Sequence, residues 1–211
     1  MISKYTEMPQ SVIGRLTRYL AHVQTLCAQD IKWISSQDIA DNLGLTSSTV
    51  RQDLSYLDFS GVSKKGYETR GLEKVLSEVL GADVQWKMVV VGAGNLGKAL
   101  ALHEEFSRRG FNIVGIFDAD LKKIGRKVGD LTIMGHREIP MVISEKKVDI
   151  GVIAVPSSAA QSVADMLIMS GIKGLLNLAL THIVAPKHIP VIDSRVVASL
   201  LELSHTLKFG R

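Results

Sequence analysis

The stretch Met88-Val-Val-Val-Gly92-Ala93-Gly94-Asn95-Leu96-Gly97 carries an apolar run into the spacing G-x-G-x-x-G and opens a helical pattern. Each glycine has a separate physical reason. Gly92 allows a tight turn, Gly94 lets backbone amides approach a pyrophosphate, and Gly97 lets the helix pack closely on a sheet. A diphosphate placed there meets unpaired amides at the positive end of a helix. Asp118 ends the next β-branched run, roughly 20 residues beyond Gly97, where a dinucleotide site needs an acid for the ribose hydroxyls. An acid also repels a 2′-phosphate, so the spacing favours NAD(H) over NADP(H), although Lys122 and Lys123 keep the second open. Alone the glycine pattern is weak; the strand before it, the helix after it and Asp118 together give it weight.

Two further positions fall where strands end and ligands of such folds bind. Val155 ends the run Ile150–Val155 with Pro156 directly after it, and Asn177 ends Gly174–Asn177. Both are candidates for the nicotinamide end. The bland alternative is turn chemistry, with Ser158 capping the helix that follows.

A second constellation lies upstream. Ser35 and Asp38 have capping-box spacing, Ile39, Ala40 and Leu43 form a buried face, and Gly44 supplies a turn. Thr46 or Ser47 then caps a helix that buries Val50, Leu54 and Leu57. Its open side shows Ser47, Ser48, Arg51, Gln52 and Ser55. Arg can bridge guanine O6 and N7, and Gln can pair with adenine N6 and N7. Lys64 and Lys65 sit at the tip of a hairpin framed by Gly61 and Gly66, as in a wing that touches phosphates. This is a winged helix-turn-helix pattern, with a small helical protein-binding domain as the plainer reading.

The elements that must position these residues divide the chain. Before Gly81–Trp86 apolar residues recur at helical spacing, as in Ile13, Leu16, Tyr19, Leu20, Val23 and Leu26. After it, short Val/Ile runs alternate with helical patterns, which is the signature of βαβ units. The predicted order there is strand Met88–Val91, helix Asn95–Arg109, strand Ile113–Phe117, strand Leu131–Met134, strand Ile150–Val155, helix Ala159–Gly171, strand Gly174–Asn177, strand Val191–Ile192 and a last helix Ser194–Leu207. The expected fold class is α/β: a winged-helix domain over 1–82, a Rossmann doubly wound parallel sheet over 83–193, and a terminal helix over 194–211.

Composition fits a globular protein, with 46% hydrophobic and 22% charged residues. The net charge of +4 permits nucleic-acid binding without establishing it. Residues 1–80 hold equal numbers of basic and acidic side chains, so contacts to DNA there must come from local clustering. The single cysteine, Cys27, excludes an internal disulfide and suits a reducing, cytoplasmic setting. It has no Cys or His neighbour at ligand spacing, so no metal is expected. The polar start of the chain is unlike a signal peptide, and no apolar run reaches the ~18 residues of a membrane span.

In this order of parts the sequence resembles the Rex family of redox-sensing transcriptional repressors. The most specific blocks are Val50-Arg-Gln-Asp-Leu-Ser-Tyr56, Val89–Leu100, Gly115-Ile-Phe-Asp118-Ala-Asp120 with Lys123-Ile-Gly125, Ile150–Pro156 with Ala160-Gln161, and Gly171–Asn177. The resemblance implies a homodimer that exchanges its terminal helix through Val196, Val197, Leu200, Leu201 and Leu207. It also implies operator DNA as partner, NAD(H) as cofactor, and release of DNA by NADH while NAD⁺ is compatible with binding. It further implies domain coupling through Arg15, a Tyr after the glycine motif and an Asp on the exchanged helix.

The chain departs from that pattern at several of these positions. His103 stands at the Tyr position and Arg195 at the Asp position, where it would repel Arg15 unless Asp193 substitutes. Arg51-Gln52 replaces Arg-Lys, Leu57-Asp58 replaces Phe-Gly, and Lys64-Lys65-Gly66-Tyr67 stands for a more glycine-rich wing. Leu178-Ala179-Leu180 replaces Phe-Ala-Pro after Asn177. The expectation is therefore a repressor that binds NAD(H) and operator DNA with a weakened redox release. One rival is an NAD-dependent dehydrogenase with an N-terminal regulatory domain. Its proton donor would have to be His103, His136, His182 or His188, none of which sits in a recognisable His/Asp pair, and no substrate domain is left over. A DNA-binding scaffold without nucleotide is the second rival. Thermal stabilisation by NADH separates it from a sensor.

Overall fold

The computed structural model describes residues 8–210. The expectation for the polar start of the chain lies outside them. The described chain divides into two compact units, with the boundary between Val84 and Gln85.

The first unit is built on α1 (Gln10–Ala28), α2 (Ser36–Leu43), α3 (Ser47–Leu54) and α4 (Thr69–Leu80), with a small antiparallel pair of β1 (Trp33–Ile34) and β2 (Tyr67–Glu68). Val12, Leu16, Tyr19, Leu20 and Val23 of α1 meet Ile39, Ala40, Val50, Leu54, Leu72 and Leu76 in one core. Ser35 and Asp38 form the capping box of α2, and Gly44 ends it in the left-handed region at φ 66°. Thr46, not Ser47, caps α3 by accepting from the Thr49 amide. Leu57 reaches the core from the turn after α3, since that helix stops at Leu54. Helix α4 has no counterpart among the elements expected from sequence, although Leu72 and Leu76 repeat at one-turn spacing and are fully buried.

The second unit carries β3 (Trp86–Val91), α5 (Asn95–Leu102), α6 (Glu104–Arg108), β4 (Phe111–Asp118), β5 (Lys127–Val128), β6 (Leu131–Gly135), α7 (Ile139–Lys146), β7 (Ile150–Ile153), α8 (Ser157–Met169), β8 (Gly174–Asn177), β9 (Val191–Asp193) and α9 (Val196–Phe209). The sheet order is β5-β6-β4-β3-β7-β8-β9. Every pairing is parallel except β5 with β6. From the first strand, β3, the chain winds outward through β4 and β6, then returns to the other side of β3 through β7, β8 and β9. That reversal is the Rossmann switch point. Alternate residues of β3 serve opposite faces: Val89 and Val91 pack with α7 and α8, while Met88 and Val90 join the α5 side.

Three expectations need correction. The helix expected over Asn95–Arg109 breaks at His103, whose backbone is extended at φ −86°, ψ 102°. His103 Nδ1 accepts from the Glu105 amide, so α6 starts afresh with Glu104 and Glu105 in its first turn, where the helix dipole favours acids. The strand expected to reach Val155 ends at Ile153, because Pro156 cannot extend a ladder and becomes the N-cap of α8. Arg195 precedes the last helix as its N-cap instead of lying within it.

Candidate nucleotide site and nucleic-acid interface

The glycine turn sits at the carboxyl end of β3, beside the ends of β4 and β7. Gly92 has φ 109°, and a Cβ there would lie 2.2 Å from the Ala154 carbonyl oxygen after β7. Gly97 is as constrained: its Cβ would lie 1.9 Å from the Gly92 carbonyl oxygen. Gly94 differs, because a Cβ on it would meet nothing within 4 Å and its φ is −79°. Packing within the protein therefore demands Gly92 and Gly97 and makes no such demand at Gly94. Helix α5 begins at Asn95 with no side-chain cap on its first amides. Asn95 and Leu96 are exposed and Ala93 is fully buried.

Asp118 ties this turn to β4. Its Oδ2 accepts from the Ala93 amide at 2.8 Å and from Lys123 Nζ at 2.8 Å, and its Oδ1 accepts from the Asp120 amide at 2.9 Å. Burial works against its charge, but Lys123 and the two amides outweigh that and hold the carboxyl below the ordinary carboxylate range. A carboxylate has about four acceptor positions, so one on Oδ1 remains available. The sequence marks Lys123 only as a cation near the site; the structure makes it the counter-charge of Asp118. A local Asp-x-x-x-x-Lys spacing is the available signal.

Val155 and Pro156 lie where expected, in the loop after β7, with Pro156 exposed. Ser158 does not cap α8, which has no side-chain cap at all. Asn177 is fully buried, and its amide is committed to the protein: Nδ2 donates to the Thr181 carbonyl and to Asp193 Oδ1, and Oδ1 accepts from the Ala179 amide. Its role in this structure is to shape the loop after β8. Arg195 joins the same cluster through Asp193 Oδ2 at 2.9 Å and the Thr181 carbonyl at 3.2 Å. His103 lies at the α5–α6 break against the Phe106 ring, with centroids 5.4 Å apart.

In the first unit, Ser48, Arg51, Gln52 and Ser55 are exposed on one side of α3, and Ser47 is partly so. Arg51 Nη1 reaches Ser36 Oγ at the start of α2, 3.3 Å away. The hairpin tip between Val62 and Gly66 places Lys64 at φ 64° and sets Lys65 Nζ 5.5 Å from the centre of the Trp33 ring.

Sequence reasoning gives Asp53 no role. It lies on the inner side of α3, 1% exposed. Arg15 grips it with two bonds, Nε to Oδ2 at 2.6 Å and Nη2 to Oδ1 at 2.7 Å, and the Tyr19 hydroxyl donates to Oδ2 at 2.6 Å. The hydrogen bonds that Arg15 donates to the Asp53 carboxylate keep it firmly protonated despite some desolvation. Burial, then Asp53, push the Tyr19 phenol well above its ordinary value of 10.0. The signal in sequence is a carboxylate at the buried register between Val50 and Leu54.

Among the described residues no group of His, Cys, Asp and Glu could hold a metal, and no helix is long and apolar enough to cross a membrane.

A winged helix joined to a dinucleotide-type Rossmann sheet is the architecture of a ligand-responsive transcription factor, and comparison with known proteins gives the same class. Residues 7–55 match the family model described as "Putative DNA-binding protein N-terminus", and residues 83–181 match the CoA binding domain model. The redox-sensing transcriptional repressor Rex of Desulforamulus reducens is 39% identical over 207 residues, covering 97% of this chain and 99% of that protein. That of Thermosipho africanus is 40% identical over 202 residues, covering 96% and 97%. Among solved structures, RSP, a Rex-family repressor, superposes with TM-score 0.88 at 33% identity, covering 95% of this chain and 94% of that one. RSP in complex with β-NAD⁺ and operator DNA gives TM-score 0.90 at 33% identity, covering 95% and 93%. The chain belongs to the Rex family of redox-sensing transcriptional repressors, whose members are regulators and not enzymes.

Proposed function

We propose that this protein is a cytoplasmic, homodimeric repressor that binds operator DNA through α3 and the wing and reads the NADH/NAD⁺ ratio at the Gly92–Gly97 turn. The observation that carries the reading is the contrast among the glycines. A Cβ at Gly94 would meet no protein atom within 4 Å, while one at Gly92 or Gly97 would collide, as a site kept open for a diphosphate requires. RSP has been solved with β-NADH and, separately, with β-NAD⁺ and operator DNA. Asp118, Ala93, Asn95 and Leu96 border the turn, with Val155 and Pro156 at the next strand end. Asn177 acts behind the site as a support.

Ser48, Arg51, Gln52 and Ser55 form the base-facing row, with Ser47 at its start and Lys64 and Lys65 on phosphates. The homodimer is supported by α9. This 14-residue helix has no buried residue, and Val196, Val197, Leu200, Leu201 and Leu207 are all at least half exposed. A helix of that length is marginal alone in water, and its apolar surface needs cover. A second copy exchanging the same helix supplies it.

The redox response is expected to be weaker than an intact coupling set would give. Arg15 is held by Asp53 and Arg195 by Asp193, each inside its own unit, and His103 caps α6. The test is calorimetric titration of purified protein with NADH and NAD⁺. Heat with at least NADH is expected; no heat with either would end the sensor reading.

A further inference from the structure

We propose that Asp53, clamped by Arg15 and Tyr19, is the positioning residue that sets the register of α3 and thereby its sequence selectivity on DNA. The inference rests on the reading of α3 as the base-facing helix. Helix α3 has eight residues, too few to hold an orientation by length alone. Its apolar anchors Val50 and Leu54 are one turn apart and fix depth in the core. Apolar packing is non-directional, so it leaves rotation and sliding of the helix poorly determined.

A bidentate guanidinium–carboxylate pair is directional in plane and distance. The Tyr19 hydroxyl adds a third short bond from one turn further along α1. Three bonds of 2.6–2.7 Å therefore fix Asp53 against a 19-residue helix. Gln52 is its immediate neighbour, and Arg51 and Ser55 lie two residues to either side. Any slip at Asp53 is passed to those three side chains. Bidentate base contacts tolerate displacements of about 0.5 Å, whereas a lysine on a phosphate acts as a point charge and tolerates more. Lys64 and Lys65 stand on the wing, outside the clamp.

Loss of the clamp should therefore lower selective binding and spare general binding. Asp53→Asn keeps the volume and removes the bidentate pair. Tyr19→Phe removes one bond and leaves the ion pair, so it serves where Asp53→Asn does not fold. Arg15→Lys keeps the charge without the fork. Each full-length variant would be measured by anisotropy at one salt concentration on two probes. One is a duplex enriched by the wild-type protein from a randomised pool of short duplexes; the other is poly(dI·dC).

The expected result is a fall of about tenfold or more in the ratio of the two affinities for Asp53→Asn, since each bidentate base contact discriminates by that much. Tyr19→Phe should give a smaller fall, Arg15→Lys should restore little of the ratio, and the salt slope on poly(dI·dC) should stay unchanged. Variants that fold and keep the wild-type ratio would overturn the inference while leaving the DNA-binding reading intact. So would an equal loss on both probes. A wild-type protein that enriches no sequence would overturn both.

Discussion

The Ala93 amide donates to Asp118 Oδ2 across 2.8 Å, so the carboxylate that ends β4 holds the turn that follows β3. The glycine turn is thus braced from the neighbouring strand by the residue proposed to meet the ribose, with Lys123 balancing its charge.

Asp118→Asn should consequently weaken NADH binding and lower thermal stability together. The loss of a charged hydrogen-bond partner is worth about 1.5–3 kcal/mol. The sign of its pH dependence follows from the lowered folded value. Asp118 stabilises the fold fully above its unfolded value of 3.8, and that contribution is lost as pH falls through the folded value below it. The difference in Tm between wild type and Asp118→Asn should hold steady from about pH 5 to 7 and shrink below about pH 4.

Gly94→Ala and Gly97→Ala should separate ligand demand from packing demand. The added methyl at Gly94 meets no protein atom, so Tm without ligand should be unchanged. NADH affinity should nevertheless drop about tenfold or more, because the methyl stands where the diphosphate must approach; tenfold corresponds to about 1.4 kcal/mol of binding free energy. At Gly97 the methyl collides with backbone, and the variant should be less stable by about 1–3 kcal/mol or fail to fold. Equal Tm for Gly97→Ala and wild type would contradict the described turn.

Base-facing and phosphate-facing residues should differ in kind. Arg51→Ala or Gln52→Ala should relax selectivity at one base position at a cost of about 1–3 kcal/mol. Lys64→Ala and Lys65→Ala should weaken binding evenly across sequences and reduce the salt slope by about 1 each. Binding isotherms at several salt concentrations distinguish the two patterns.

Leu200→Asp with Leu201→Asp should disturb assembly, because both side chains are more than half exposed in the single chain and a carboxylate buried at an apolar interface is costly. Light scattering after gel filtration should show the wild type as a dimer and the double variant as monomer or aggregate. A double variant that stays dimeric would place the interface elsewhere.

The glycine motif is legible in sequence because two of its glycines answer to a local demand: a positive φ at Gly92 and the close packing of α5 on the Gly92 backbone at Gly97. Asp118 is legible from spacing, and the row Ser48, Arg51, Gln52, Ser55 from helical periodicity. Asp53 escapes because its partners Arg15 and Tyr19 are 38 and 34 residues away, and one sequence does not say which helices meet. Asn177 falls at the expected strand end, but the side chain expected to face a ligand is occupied by Asp193 and Thr181. The break at His103 is hidden for another reason. Helical pattern continues on both sides of it, and only its backbone and the Glu105 amide reveal a new helix start. Helix α4 goes unread although Leu72 and Leu76 carry the needed period.

The most direct test is anisotropy of the enriched duplex bound to full-length protein, titrated with NADH and in parallel with NAD⁺ at one salt concentration. NADH should lower DNA affinity, short of complete release at saturation, and NAD⁺ should leave it in place. Identical responses to the two nucleotides, or none to either, would contradict a redox-sensing repressor.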